Sequence, residues 1–118
     1  MTRSPEELRA GIRGPQAFVC TPFDDEGAVD IGRFREHLRY VVEADAEKPA
    51  GCFVCCGTGE FFSLALEECK QLVRAAVAEI GREVPVVAGV GYGTRTAVAF
   101  AQAAEESGAD GVLVFPPY

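Results

Sequence analysis

Four short apolar segments recur along this chain, and each runs into glycine or proline. They are Ala17-Phe18-Val19-Cys20-Thr21 before Pro22, Gly51 to Cys56 before Gly57, Pro85 to Val90 before Gly91, and Gly111 to Phe115 before Pro116. Their starts at 17, 51, 85 and 111 are separated by 34, 34 and 26 residues. Apolar runs of this length bounded by turn residues suit strands buried on both faces. Segments of helical periodicity lie between them, so the order reads β-α-β-α-β-α-β after a leading helix. Such a repeat builds a parallel sheet through right-handed crossovers. An open doubly wound sheet and a (β/α)8 barrel both begin this way. A dinucleotide-binding G-x-G-x-x-G is absent after the first strand, and Gly89-Val90-Gly91-Tyr92-Gly93 has the wrong spacing. The expected class is therefore α/β, the N-terminal half of a (β/α)8 barrel, with residues 1–15 as lead-in and 16–118 as the half barrel.

The helices announce themselves by their ends. Ser4, Pro5, Glu6 and Glu7 read as an N-cap, a first-turn proline and two first-turn acids, predicting a helix to about Ala10. Asp24-Asp25-Glu26-Gly27 is a turn, and Asp30 caps a helix over roughly Ile31 to Ala46. There Ile31, Phe34, Leu38, Val41 and Val42 share one face. Leu66, Cys69, Leu72, Val73, Ala76, Val77 and Ile80 form the stripe of the next helix, closed by Gly81. An alanine-rich helix is expected from Thr96 to about Ser107, with Gly108 as its stop.

At 118 residues the chain is at most one domain. Its net charge of −7 disfavours nucleic acid and anionic membrane as partners, since both favour a basic face. The N-terminus shows no apolar signal segment, and no apolar run approaches the roughly 20 residues that span a bilayer. A cytoplasmic protein is expected. Of the five cysteines, Cys52 and Cys55 have the spacing of a redox or zinc pair, but no second pair accompanies them and His37 is the only histidine. Strand alternation would point them to opposite sides. The cysteines read as reduced core residues, His37 as a helix-surface residue, and neither a metal site nor a cofactor fingerprint is expected.

In a barrel the chemistry sits at the C-terminal strand ends. Here those ends are Thr21-Pro22-Phe23, Gly57-Thr58-Gly59-Glu60, Gly89-Val90-Gly91-Tyr92 and Pro116-Pro117-Tyr118. A buried strand that breaks at Gly-Thr-Gly before a helix presents backbone N–H groups and one hydroxyl. Glycine lets an anion approach them closely, so Gly57, Thr58 and Gly59 form a candidate seat for a carboxylate or phosphate.

These ends, in this order, resemble the dihydrodipicolinate synthase / N-acetylneuraminate lyase family of Schiff-base-forming (β/α)8 lyases. The likeness runs from about Phe18 to Tyr118 and rests on Thr21-Pro22-Phe23-Asp24, the Gly-Thr-Gly-Glu turn and Pro117-Tyr118. Within the family, Gly57 to Leu64 together with Gly89 to Thr94 looks most like the branch that removes water and carbon dioxide from a six-carbon keto-diacid. That reaction gives 2,5-dioxopentanoate in glucarate and galactarate breakdown. The resemblance implies that Gly57, Thr58 and Gly59 hold the substrate's carboxylate beside its keto group. It also implies that Tyr118 stands at the subunit interface and site mouth, and that the full-length protein is a homo-oligomer. Glu60 would orient the turn.

Three departures qualify the likeness. The synthase branch carries two adjacent threonines in the turn, whereas Gly57 holds the first of those positions here. Ala65 and Leu66 stand where a hydroxyl cap and a proline usually open the following helix, predicting a slightly frayed start. A whole barrel takes about 250 residues, and the family's Schiff-base lysine and proton-shuttling tyrosine lie on later strands than the fourth. No catalytic residue is therefore assigned within this chain, and the chain alone is expected to be inactive.

Overall fold

Ser4 opens the first helix as predicted: its hydroxyl accepts from the Glu7 amide at 3.1 Å, and the Glu7 carboxylate accepts from the Ser4 amide at 2.7 Å. The computed structural model describes residues 2–117, so the expectation for Tyr118 lies outside the described residues. The elements are α1 (Pro5–Gly11), β1 (Gln16–Phe18), α2 (Ile31–Glu43), β2 (Gly51–Val54), a 3-10 turn (Phe61–Ser63), α3 (Leu66–Ile80), β3 (Val86–Val90), α4 (Thr94–Glu106) and β4 (Gly111–Val114).

The strands pair in parallel in the order β1-β2-β3-β4, with Phe18 opposite Phe53 and Phe53 opposite Val87. Strand order follows chain order without the reversal that defines a doubly wound sheet. The fold is the α/β half barrel that the strand spacing predicts. Phe34, Leu38 and Val42 of α2, Leu72, Ala76 and Ile80 of α3, and Phe100 and Ala104 of α4 join Val54, Val86, Ala88 and Val90 in one core. On the opposite strand face Phe18 and Phe53 stack, ring centroids 4.6 Å apart.

Charged groups fix the outside. Arg39 reaches from α2 to Glu43, Glu79 and Glu83, and Lys48 meets Glu83 at 2.8 Å. At the N-terminal strand ends, the nearly buried Asp110 carboxylate accepts from the Arg3 amide at 2.7 Å and the Val86 amide at 2.9 Å, and pairs with the Arg3 guanidinium. Those bonds lie at the end of the sheet away from the glycine-rich rim.

Boundaries differ from expectation where the backbone leaves its regular path. β2 stops at Val54, not Cys56, because Cys55 takes a left-handed φ of 55°. Cys55 thus falls outside the strand, and the alternation argument does not apply to it. β1 is shorter than Ala17–Thr21, although the Val19 amide still bonds Phe53. α2 ends at Glu43, β4 at Val114, and α4 starts at Thr94 with Gly93 as its cap, two residues earlier than predicted.

One side-chain expectation is corrected. Cys20 is exposed and not a core residue, whereas Cys52, Cys55, Cys56 and Cys69 are buried free thiols. His37 is half-buried, because its Nε2 accepts the Cys20 amide at 3.2 Å and ties α2 to the end of β1. α3 begins at Leu66 behind Ala65, where Glu68 Oε1 accepts the Ala65 amide at 2.9 Å. That is half of a capping box, and it occupies the place where a hydroxyl is missing.

Candidate functional site

The site grows from the point where β2 ends. Cys55 and Glu60 both adopt left-handed backbone, at φ 55° and 61°, and fold the chain between them into a tight turn. The Glu60 amide donates to the Gly57 carbonyl at 3.0 Å, and the Phe61 amide to the Cys56 carbonyl at 3.0 Å. Among the described residues, no backbone carbonyl accepts from the amides of Gly57, Thr58 or Gly59. Gly57 and Thr58 are exposed and Gly59 is buried. The turn therefore holds three consecutive amides without a backbone acceptor among the described residues, with Thr58 between two glycines, at the C-terminal edge of the sheet. Backbone donors presented together in this way suit an anion.

The glycines are not equivalent. A β-carbon at Gly59 would stand 3.1 Å from the Val19 carbonyl oxygen and 3.2 Å from the Cys55 nitrogen, so this position is pressed against two strand ends. Gly57 has open space in that direction, with nothing within 4 Å. A β-carbon there meets no neighbour.

Neighbouring strand ends hold the turn. Thr21, just past β1 and 8% exposed, donates its hydroxyl to the Gly59 carbonyl at 2.7 Å. Tyr92, just past β3 at φ 68°, donates its hydroxyl to the Phe62 carbonyl at 3.2 Å. Beneath them Phe61 is fully buried, with ring centroids 5.2 Å from Phe62, Tyr92 and Phe100 and 5.5 Å from Phe115. Gly91 makes room for that ring, since a β-carbon there would lie 2.9 Å from it.

The sequence put Thr21 and Tyr92 on the rim without a role. A hydroxyl at a strand end, beside Pro22 for Thr21 and between two glycines for Tyr92, is the only local signal, and their partners lie 38 and 30 residues away. Gly57, Thr58 and Gly59 stand in the turn between Cys55 and Phe61, and Glu60 shapes that turn through its left-handed backbone.

The buried thiols under the turn are inert. Burial pushes the Cys52 thiol up to about 11 and the Cys56 thiol up to about 12. The Cys55 thiol is pushed higher still, first by its hydrogen bond with Cys69 and then by burial. All three remain protonated at neutral pH, whereas a nucleophile or metal ligand must be a thiolate. Among the described residues no three His, Cys, Asp or Glu side chains gather as a metal site would require. Among the described residues no helix is long and apolar enough to cross a membrane. The two lysines stand away from the strand ends: Lys48 follows α2 and pairs with Glu83, and Lys70 lies within α3 beside Glu67.

The chain is 50% identical over 119 residues to a probable 5-dehydro-4-deoxyglucarate dehydratase of Streptomyces griseus, covering 100% of this chain and 36% of that one. It is 44% identical over 119 residues to one of Rhodococcus opacus, covering 38% of its length. The chain thus spans just over a third of these relatives. Among solved structures it matches dihydrodipicolinate synthase from Bacillus clausii with a TM-score of 0.84 and 32% identity, over 94% of this chain and 37% of that one. It also matches YagE, a prophage protein of E. coli K12 solved in complex with pyruvate, with a TM-score of 0.79 and 32% identity, over 89% and 35%. The model of the dihydrodipicolinate synthetase family matches residues 12–118. This chain belongs to the dihydrodipicolinate synthetase family.

Proposed function

We propose that this chain supplies the substrate-carboxylate seat of a 5-dehydro-4-deoxyglucarate dehydratase, a lyase that removes water and carbon dioxide from a keto-diacid. The observation that carries this reading is the set of amides at Gly57, Thr58 and Gly59 without a backbone acceptor among the described residues. Relatives of that name at 50% identity support the choice of reaction, and a similar protein solved with pyruvate supports a small keto acid as ligand. In this reading the substrate's C1 carboxylate binds the turn, and its keto carbon forms an imine with a lysine of the remaining barrel. The imine then acts as electron sink for dehydration and decarboxylation to 2,5-dioxopentanoate, in glucarate and galactarate catabolism. Such chemistry needs a desolvated amine aimed at the keto carbon. Lys48 and Lys70 are not so placed, so the 118-residue chain by itself is inactive. The full-length enzyme would be a cytoplasmic homo-oligomer, with Tyr118 at its site mouth.

The test is the protein isolated from its native cell. Its intact mass is read first, then borohydride trapping with a panel of keto acids. A mass well above 12.6 kDa, together with trapping and turnover of the keto-diacid, is the expected result. Condensation of pyruvate with an aldehyde while the keto-diacid is ignored would move the assignment to another lyase or aldolase of the family.

A second reading rests on the sheet edges. β1 and β4 each pair on one side only among the described residues, and Phe18 and Val114 are 45% and 63% exposed. Unpaired edges with exposed apolar side chains recruit further strands, so a chain of 118 residues acting alone would self-associate and be inactive. Size exclusion decides: a clean monomer that melts cooperatively rules this reading out.

A further inference from the structure

We infer that Thr21 and Tyr92 are positioning residues for the anion-binding turn, gripping it from the strand ends on either side. This inference rests on the reading of that turn as a carboxylate seat.

The turn between Cys55 and Phe61 has few bonds of its own. Two backbone hydrogen bonds, Glu60 to Gly57 and Phe61 to Cys56, close it. Both residues that shape its corners, Cys55 and Glu60, sit in the left-handed region that side-chain-bearing residues seldom occupy. Such backbone persists only where its surroundings over-determine it. The surroundings here are specific. From the β1 side, the buried Thr21 hydroxyl donates to the carbonyl of Gly59, whose own amide has no backbone acceptor among the described residues. Fixing that carbonyl fixes the peptide plane that follows it, and so the entry into Glu60. From the β3 side, the Tyr92 hydroxyl donates to the Phe62 carbonyl just beyond the turn. Tyr92 is itself left-handed at φ 68°, and its ring lies 5.2 Å from Phe61 and 5.4 Å from Phe62.

The three strand ends thus converge on one backbone segment, and neither hydroxyl is spent on a local turn of its own. Donors that bind a charged ligand act best when already in place before it arrives. Thr21 and Tyr92 need not touch the substrate to set its affinity. Thr21 acts on the seat itself, and Tyr92 on its exit.

The test uses the protein at the full length its gene encodes, labelled with nitrogen-15, in wild-type form and as Thr21→Val, Thr21→Ser and Tyr92→Phe. Amide exchange at Glu60 and Phe61 reports opening of the turn, and exchange at Val87 and Ala88 reports the whole fold. Titration with 2-oxoglutarate, followed at the Gly57, Thr58 and Gly59 amides, reports the seat. Loss of a single buried hydrogen bond predicts about tenfold faster exchange at Glu60 and Phe61 in Thr21→Val, with about fivefold to tenfold weaker binding. Val87 and Ala88 should be unchanged, Thr21→Ser should restore both readouts, and Tyr92→Phe should show the same pattern to a smaller degree. Equal exchange in wild type and Thr21→Val overturns the inference, and so does loosening of Val87 and Ala88 in step with the turn. Should Thr21→Val not fold, Tyr92→Phe and Thr21→Ser decide: a turn as tight in Tyr92→Phe as in wild type overturns it. If the wild-type chain leaves its amide shifts unmoved by 2-oxoglutarate, the carboxylate seat fails, while the exchange data still judge the grip on the turn.

Discussion

Gly89 lies directly against the carbonyl of Cys55, so close that a β-carbon on Gly89 would stand 2.1 Å from the Cys55 oxygen. Third strand and second-strand exit meet there backbone to backbone. Because the obstacle is main chain, no rotamer change relieves it. Gly89→Ala should therefore cost about 3 kcal/mol or more, at the upper end of overpacking effects, read by urea denaturation. A variant within 1 kcal/mol of wild type would show that the two strands separate easily.

Gly57 is the control within the same site. With open space where a side chain would go, Gly57→Thr should change stability by no more than about 0.5 kcal/mol, the range of ordinary surface substitutions. The variant would carry adjacent threonines like the synthase branch. Thermal unfolding checks it, and a loss above 2 kcal/mol would mean that the position is constrained by the fold after all.

The cysteines should divide sharply in reactivity. Cys20 is exposed and the other four thiols are buried, so a thiol reagent at pH 8 should modify one group quickly and the rest only on unfolding. Stability should also fall at high pH. Below about 9, the ordinary value, both folded and unfolded chains keep these protons. Above it the unfolded chain releases them while Cys52 holds its own to about 11 and Cys56 to about 12. The folded state then binds more protons, and unfolding becomes easier as pH rises. Denaturation midpoints from pH 8 to 10.5 give the slope, and Cys52→Ala together with Cys56→Ala should reduce it to the part that Cys55 supplies.

Acid acts on a different group. Hydrogen bonds from Arg39 and then Lys48 hold the Glu83 carboxyl at about 2, below its ordinary 4.5. Its contribution is present above 4.5 and is lost as pH falls from there toward 2, because the unfolded chain takes up its proton first. Glu83→Gln should lower stability at neutral pH by that contribution, remove this part of the acid dependence and leave the alkaline slope unchanged. The pair is solvent-exposed, so raising salt should shrink the effect.

At the start of α3 the missing hydroxyl can be supplied. Ala65→Ser should add about 1 kcal/mol by capping, and Glu68→Ala should remove a similar or smaller amount by deleting the bond to the Ala65 amide. Hydrogen exchange at Glu67 and Glu68 shows whether the first turn frays. Exchange already as slow as in mid-helix would mean that Glu68 alone suffices.

Helix starts were legible in this sequence because their signals are local. Ser4 and Asp30 cap where they were predicted to, and α3 begins at Leu66. The α4 start was misplaced because Gly93, which has no side-chain acceptor, caps that helix in place of a residue nearer Thr96. Strand ends were less legible. Nothing in Cys55-Cys56 itself signals a left-handed residue, and the room its backbone needs comes from Gly59 and Gly89, whose approach to it is set by the fold. The turn itself could be read from Gly-Thr-Gly. Its fastenings could not, since Thr21 and Gly59 are 38 residues apart and meet only through the sheet. The half-burial of His37 was hidden for the same reason, as its partner is an amide on another element.

Among the described residues, the non-glycine positions with left-handed backbone are Cys55, Glu60 and Tyr92, and all stand at the rim. For L-residues that conformation costs about 1–2 kcal/mol each relative to the ordinary helical one, and glycine would be relieved of most of it. Glu60, exposed and spacious, is where an engineer seeking a sturdier chain would turn first. A more robust protein obtained that way would have a slacker rim, because a glycine there gives the loop freedom to wander. Durability and readiness to bind are thus set against each other in the same few degrees of backbone rotation.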